Sequence, residues 1–139
     1  MNSKLHYITF QKFPTISANS IQTIKMLKAF SKIGYDVELT FPNRAKNKIS
    51  AESIYDFYNI REKISLNITK YYLPFDKINI LNKFSYIVSH FLWSFWVVGK
   101  YFSKSNNSKN LFFTRSIWVL YLGSLFFSKK ELYRSLRST

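Results

Sequence analysis

The chain reads as an α/β fold built on a mostly parallel sheet, and two observations carry that reading. Residues 4–42 run strand, loop, helix, strand, with two short strands around one helix of crossover length. Later, short strand-like runs again alternate with helix-like ones, at 64–69 and at 110–114. Two strands joined through a helix are parallel and take a right-handed crossover.

The first strand is residues 5–10, Leu-His-Tyr-Ile-Thr-Phe, and a loop follows over 11–19. The helix is expected from about Ser20 to Ile33, because Ile21, Ile24, Leu27, Phe30 and Ile33 recur at helical spacing. Asn19 or Ser20 supplies the side-chain oxygen for its first turn, and Gly34 ends it. Residues 36–41 form the second strand. Lys25, Lys28 and Lys32 fall on another face of the helix.

A polar, basic loop over 42–48 leads to a short helix over 51–58, with Ser50 and Ser53 both candidates for its cap and Glu52 suited to its first turn. Ile64, Leu66 and Ile68 then alternate with Ser65, Asn67 and Thr69, the period of a strand that Pro74 brings to an end. Residues 84–99 hold no charge and are bracketed by Lys83 and Lys100. Three placements fit this stretch: a helix buried against the sheet, a helix lying on a membrane surface, and a span. Sixteen residues fall short of the roughly 20 that a span needs. The polar run 104–109 is a loop. Residues 110–114, Asn-Leu-Phe-Phe-Thr, form a buried strand, and 117–127 form the helix after it. The tail 129–139 is polar and basic.

In such a sheet the turn from first strand to helix is where anions are held, because the helix start offers free N–H groups and partial positive charge. Lys4, Lys12, Lys25, Lys28 and Lys32 all precede the first acid, Asp36. Arg115, directly after the 110–114 strand, stands where ligands sit in open α/β sheets. An ordinary packed βαβ unit with a solvated lysine face gives the same pattern, and the loop lacks G-x-G-x-x-G spacing. For Arg115 the equivalent plain reading is a salt bridge or a solvated side chain.

Composition narrows the partners. The 139 residues suffice for one domain with a real core, and a hydrophobic fraction of 47% excludes disorder. A net charge of +14, from 21 basic and 7 acidic residues, favours anionic partners. Most of the basic residues are Lys, in a chain also rich in Ile, Asn, Phe and Tyr. All five have A/T-rich codons, so base composition accounts for part of the charge. There is no cysteine, which removes disulfides and Cys-based zinc sites. His6 and His90 lack metal-site spacing, and each reads as structural. No Ser/His/Asp set, carboxylate pair or P-loop is legible, and no nucleic-acid motif is present, so nucleic acid is not expected as a partner. Met1 to Phe10 carries no secretory signal.

The wording of residues 13–42 resembles the opening of family 4 glycosyltransferases of the GT-B fold. The resemblance is carried by Phe13-Pro14-Thr15-Ile16-Ser17-Ala18-Asn19-Ser20 and by the phrase Ala29-Phe30-x-Lys32-x-Gly34-x-Asp36-Val37. It continues more loosely in residues 54–58 and in Phe113-Thr114-Arg115-Ser116. It implies a Rossmann-like three-layer sandwich with a mostly parallel sheet. Residues 1–139 would be the acceptor-side N-terminal domain, incomplete at its C-terminus. It further implies retaining sugar transfer from a nucleotide-sugar donor to a glycan or lipid-linked acceptor, without cofactor or metal. The setting is cytoplasmic, peripheral on the inner face of the membrane. By the same resemblance Pro14, Ser17, Ala18, Asn19 and Ser20 line the cleft, with Arg115 near it. The loop departs from the family's glycine-rich form, which puts direct phosphate contact by its backbone in doubt. The donor-binding half is missing, so the chain is expected to be inactive alone. Two rivals stand beside this reading: a small basic protein associated with an anionic membrane surface, and a half-enzyme needing a separate donor-binding chain.

Overall fold

The computed structural model describes residues 3–44, 48–70, 82–102 and 110–126. Strands and helices alternate as β1 (Lys4–Ile8), α1 (Ala18–Lys32), β2 (Asp36–Pro42), α2 (Ala51–Phe57), β3 (Ile64–Thr69), α3 (Asn82–Phe102), β4 (Asn110–Thr114) and α4 (Ile117–Phe126). The four strands form one all-parallel sheet in the order β3-β2-β1-β4. The chain steps outward from β1 to β3, then returns to place β4 on the other side of β1. This is a Rossmann-like three-layer α/β sandwich, as expected. The expected stop at Pro74, the loop at 104–109, residue 127 of the last helix and the 129–139 tail lie outside the described residues.

The two-residue period of the strands sorts side chains between layers. Leu5, Tyr7, Val37, Leu39 and Phe41 point to one side, where Ile24 and Leu27 of α1 and Ile54 of α2 complete a buried core. Ile8 points to the other side, against Trp93, Val97 and Val98 of α3 and Val119 and Leu122 of α4. The edge position of β4 leaves its five residues half-buried, where a fully buried strand was expected.

Helix α1 begins two residues earlier than the sequence suggests. Its N-cap is Ser17, whose side chain accepts from the Ser20 N–H at 3.3 Å, so Asn19 and Ser20 lie inside the first turn. Its apolar face is also narrower than the expected stripe: Ile24 and Leu27 are buried, but Ile21 and Ile33 are exposed. A strict three-residue step drifts around a helix of 3.6 residues per turn, so Ile21 and Ile33 each fall about 120° from Leu27. Ser20 and Thr23 take the inward positions instead.

Both helices on this side end in the same way. After α1, Gly34 takes a φ of 98°, its N–H bonds Ser31 O at 3.1 Å, and the Tyr35 N–H reaches Phe30 O at 3.2 Å. The Phe30 and Tyr35 rings meet edge-on, which completes a Schellman motif with its apolar contact. After α2, Asn59 takes the left-handed position at φ 48°, with the equivalent bonds to Asp56 and Tyr55 carbonyls. Lys28 is not part of a solvated face. Its Nζ donates to Tyr58 O at 2.9 Å and Asn59 O at 2.8 Å, placing a cation on the negative end of α2.

On the opposite side of the sheet, α3 is held by polar groups as well as apolar ones. Glu38 of β2 takes Lys4 Nζ at 2.8 Å, His6 Nδ1 at 3.3 Å and the Tyr101 hydroxyl. Tyr101 also bonds Thr40 Oγ1 at 2.6 Å and receives the Asn67 amide at 3.2 Å. Trp93 Nε1 donates to Thr69 Oγ1 at 2.7 Å. These donors hold the Glu38 carboxyl well below the usual carboxylate range, with the His6 bond contributing most. Burial, reinforced by the bond to Glu38, pushes the Tyr101 hydroxyl up to about 12. Of the three placements open for the uncharged stretch, the span does not hold: among the described residues no helix is long and apolar enough to cross a membrane.

Candidate functional site

Because β2 and β4 flank β1 and the chain leaves β1 in one direction first and the other later, the point between β1 and β4 is a topological switch. Ligands of open α/β sheets sit in the crevice outside the carboxyl ends of the strands at such a point. Here that edge is formed by the segment after β1, the start of α1, and the Arg115-Ser116 turn between β4 and α4.

The loop after β1 is fastened at several points. Phe13 is fully buried and meets Phe41 edge-on at 4.9 Å. Tyr58 of the α2 end grips Thr15 twice: its hydroxyl accepts from the Thr15 N–H at 2.8 Å and donates to Thr15 O at 2.7 Å. Burial raises that hydroxyl above its ordinary range. Gln11 Oε1 accepts from Thr23 at 3.1 Å. The Phe13–Pro14 bond is cis, and Pro14 is half-buried.

The residues expected to line a cleft divide into two groups. Ser17, Ala18 and Asn19 are exposed at the first turn of α1. Ser20 is buried: its hydroxyl accepts from Ser17 at 2.9 Å and donates to Lys12 O at 3.4 Å, so it supports the loop. Arg115 is exposed, and its Nη1 donates to Gln22 Oε1 of α1 at 3.2 Å. That bond ties the end of β4 to α1, across ninety-three residues of sequence.

A second cluster occupies the α3 side of the same edge, and the sequence reading had not joined its members. Arg44, just past β2, donates to Phe10 O at 3.0 Å and stacks its guanidinium over the Phe10 and Tyr86 rings at 5.0 and 4.9 Å. His90 lies parallel to Phe10 at 4.0 Å, with Nε2 at 2.7 Å from Ser116 Oγ. Ser116 in turn caps α4, accepting from the Val119 N–H at 3.4 Å. Burial, with the nearby Arg44 charge, lowers His90 to about 4, so the imidazole is neutral at pH 7. Arg44 alone carries a sequence signal, since it follows the end of β2 as Arg115 follows the end of β4.

Two guanidiniums, one on each side, and the first turn of α1 thus share the carboxyl edge of the sheet. The arrangement suits holding negative charge. The neutral His90, already engaged with Ser116, positions the start of α4. No protein-family model, curated protein or solved structure matches this chain.

Proposed function

We propose that the chain is the acceptor-side N-terminal half of a retaining glycosyltransferase of the GT-B kind. Such an enzyme passes a sugar from a nucleotide-sugar donor to a glycan or lipid-linked acceptor of the cell envelope. The observation that supports this best is the switch between β1 and β4, which brings the Ser17-capped start of α1 and Arg115 to one crevice. The segment that resembles the family builds one wall of that crevice. In this reading the first turn of α1 and Arg115 meet the phosphate charge of donor or acceptor. Ser17, Ala18 and Asn19 line the approach, and Tyr58 holds the loop in place. The donor nucleotide is gripped by a second domain or a separate chain, and no residue described here serves as the base. Work on a lipid-linked acceptor places the domain in the cytoplasm, at the inner face of the membrane.

The test is binding and transfer with the purified 139-residue chain. Expected are no sugar transfer and NMR shifts around Arg115 on adding a nucleotide sugar or a polyprenyl phosphate. Arg115→Ala weakens that binding roughly tenfold or more, the worth of a charge-assisted hydrogen bond. If neither ligand moves a resonance near α1 or Arg115, the reading fails. Donor-dependent transfer by this chain alone overturns the half-enzyme part. A second reading, a small basic membrane-associated protein, is favoured by the outer face of α3 and α4.

A further inference from the structure

The outer surface of the α3/α4 layer is apolar. On α3, Phe84, Ile87, Leu92, Phe95 and Trp96 are each half or more exposed, and on α4 so are Ile117, Tyr121 and Leu125. The two helices lie side by side: Phe91 meets Trp118 edge-on at 5.3 Å, and Phe95 approaches Phe126 at 6.4 Å. The exposed side chains therefore belong to one surface. Single exposed apolar residues are ordinary, whereas a contiguous patch marks a docking surface.

The rim of the patch is basic. Lys100 sits with its ammonium 5.1 Å over the Trp96 ring. Lys70 and Lys100 both line a pocket of about 560 Å³ whose walls include Ile68, Leu92 and Trp96. An apolar wall ending in two ammonium groups, with a tryptophan at the boundary, matches the layering of acyl chain and anionic headgroup.

We propose that α3 and α4 rest on the anionic leaflet of a lipid bilayer. Their exposed rings and aliphatic groups enter the acyl boundary, and Lys70 and Lys100 lie at the level of the headgroup phosphates. Charge selects this occupant over a second copy of the chain. Two bodies of net charge +14 repel, while an anionic surface attracts each of them. The helices lie in the plane of the membrane and need not cross it. The inference stands on this surface alone, not on the sugar-transfer reading, since a domain that transfers nothing docks equally well.

The experiment is sedimentation of the full chain with vesicles of phosphatidylglycerol mixed with phosphatidylcholine, against phosphatidylcholine alone. Co-sedimentation with the anionic vesicles is expected, with tryptophan emission quenched by brominated acyl chains. Trp96→Phe removes a large share of that quenching. Phe95→Ser lowers the partition constant roughly tenfold or more, and Lys100→Ala about fivefold. Both variants keep the parent circular dichroism, which separates lost docking from lost folding. Recovery of the chain in the supernatant with both lipids overturns the proposal. So does equal binding of the parent and both variants, which signals adsorption by net charge. A stable dimer in analytical ultracentrifugation that Phe95→Ser dissolves also overturns it, assigning the face to a second copy. None of these outcomes touches the binding test at Arg115.

Discussion

Helices α1 and α2 bury one narrow apolar stripe and turn Lys25 and Lys32 to water, whereas α3 and α4 are apolar toward the sheet and apolar away from it. The inner contacts of the two layers also differ. The α1/α2 layer meets a nearly all-hydrocarbon sheet face, with Val37, Leu39 and Phe41 fully buried. The α3/α4 layer meets Glu38, Thr40 and Asn67, which bond the Tyr101 hydroxyl, and Thr69, which accepts from the Trp93 indole. The difference teaches that hydropathy does not tell inside from outside in the second layer. What orients α3 is the placement of its hydrogen-bonding side chains.

The largest test of this contrast pairs two phenylalanines. Phe41→Ala, beneath the first layer, is expected to cost about 3–5 kcal/mol. Phe95→Ala, on the outside of the second, should shift stability by no more than about 0.5 kcal/mol. Urea titration measures both, and equal losses break the comparison. Next is Glu38→Gln, which removes the carboxylate that Lys4, His6 and Tyr101 share and costs about 1–3 kcal/mol. Because the folded pKa of Glu38 is depressed, its contribution is complete above the unfolded value near 4.5 and is lost as pH falls below it. The Gln variant should therefore show a flatter acid limb in that window.

Lys28→Ala loosens the joint between α1 and α2 by about 1 kcal/mol, with faster amide exchange at the end of α2 as its signature. The smallest effect at neutral pH is expected from His90. Its folded pKa of about 4 lies below the ordinary 6.5, so between those values the unfolded chain binds more protons and stability falls on acidification. His90→Phe should remove that slope between pH 6.5 and 4 while leaving the steeper loss below 4.5 to Glu38. A melting-temperature profile against pH resolves the two windows.

Much of the fold was legible because strand and helix periods are properties of neighbouring residues. The alternation in residues 64–69, the Ser50 cap and the helix stop at Gly34 all appear where local chemistry puts them. The α1 start was misread because Asn19 and Ser20 were the expected caps, while Ser17, within a turn of both, takes the role once Ser20 turns inward to bond Lys12 O. The second cluster at the carboxyl edge was illegible for another reason. Phe10, Arg44, His90 and Ser116 come from four separate stretches, and no spacing rule joins them. Glu38 and His6 carried a usable signal. Strands buried on both faces are normally continuous hydrocarbon, so polar residues at alternate positions of β1, β2 and β3 foretell a polar layer under whatever covers that face.

The pairing of β4 has a consequence for the chain as it is made. Lys4 and Asn110 are partners in the sheet, roughly one hundred residues apart. On a ribosome, β1, β2 and β3 with their two helices emerge first and can assemble through neighbouring contacts. Until β4 appears, one edge of β1 stays open, with its backbone groups unpaired and the inner face of α3 without its full seat. Distant pairings of this kind slow folding and expose sticky intermediates. The interval between synthesis of residue 69 and residue 114 is therefore when this protein most needs a chaperone, or a surface on which α3 can wait.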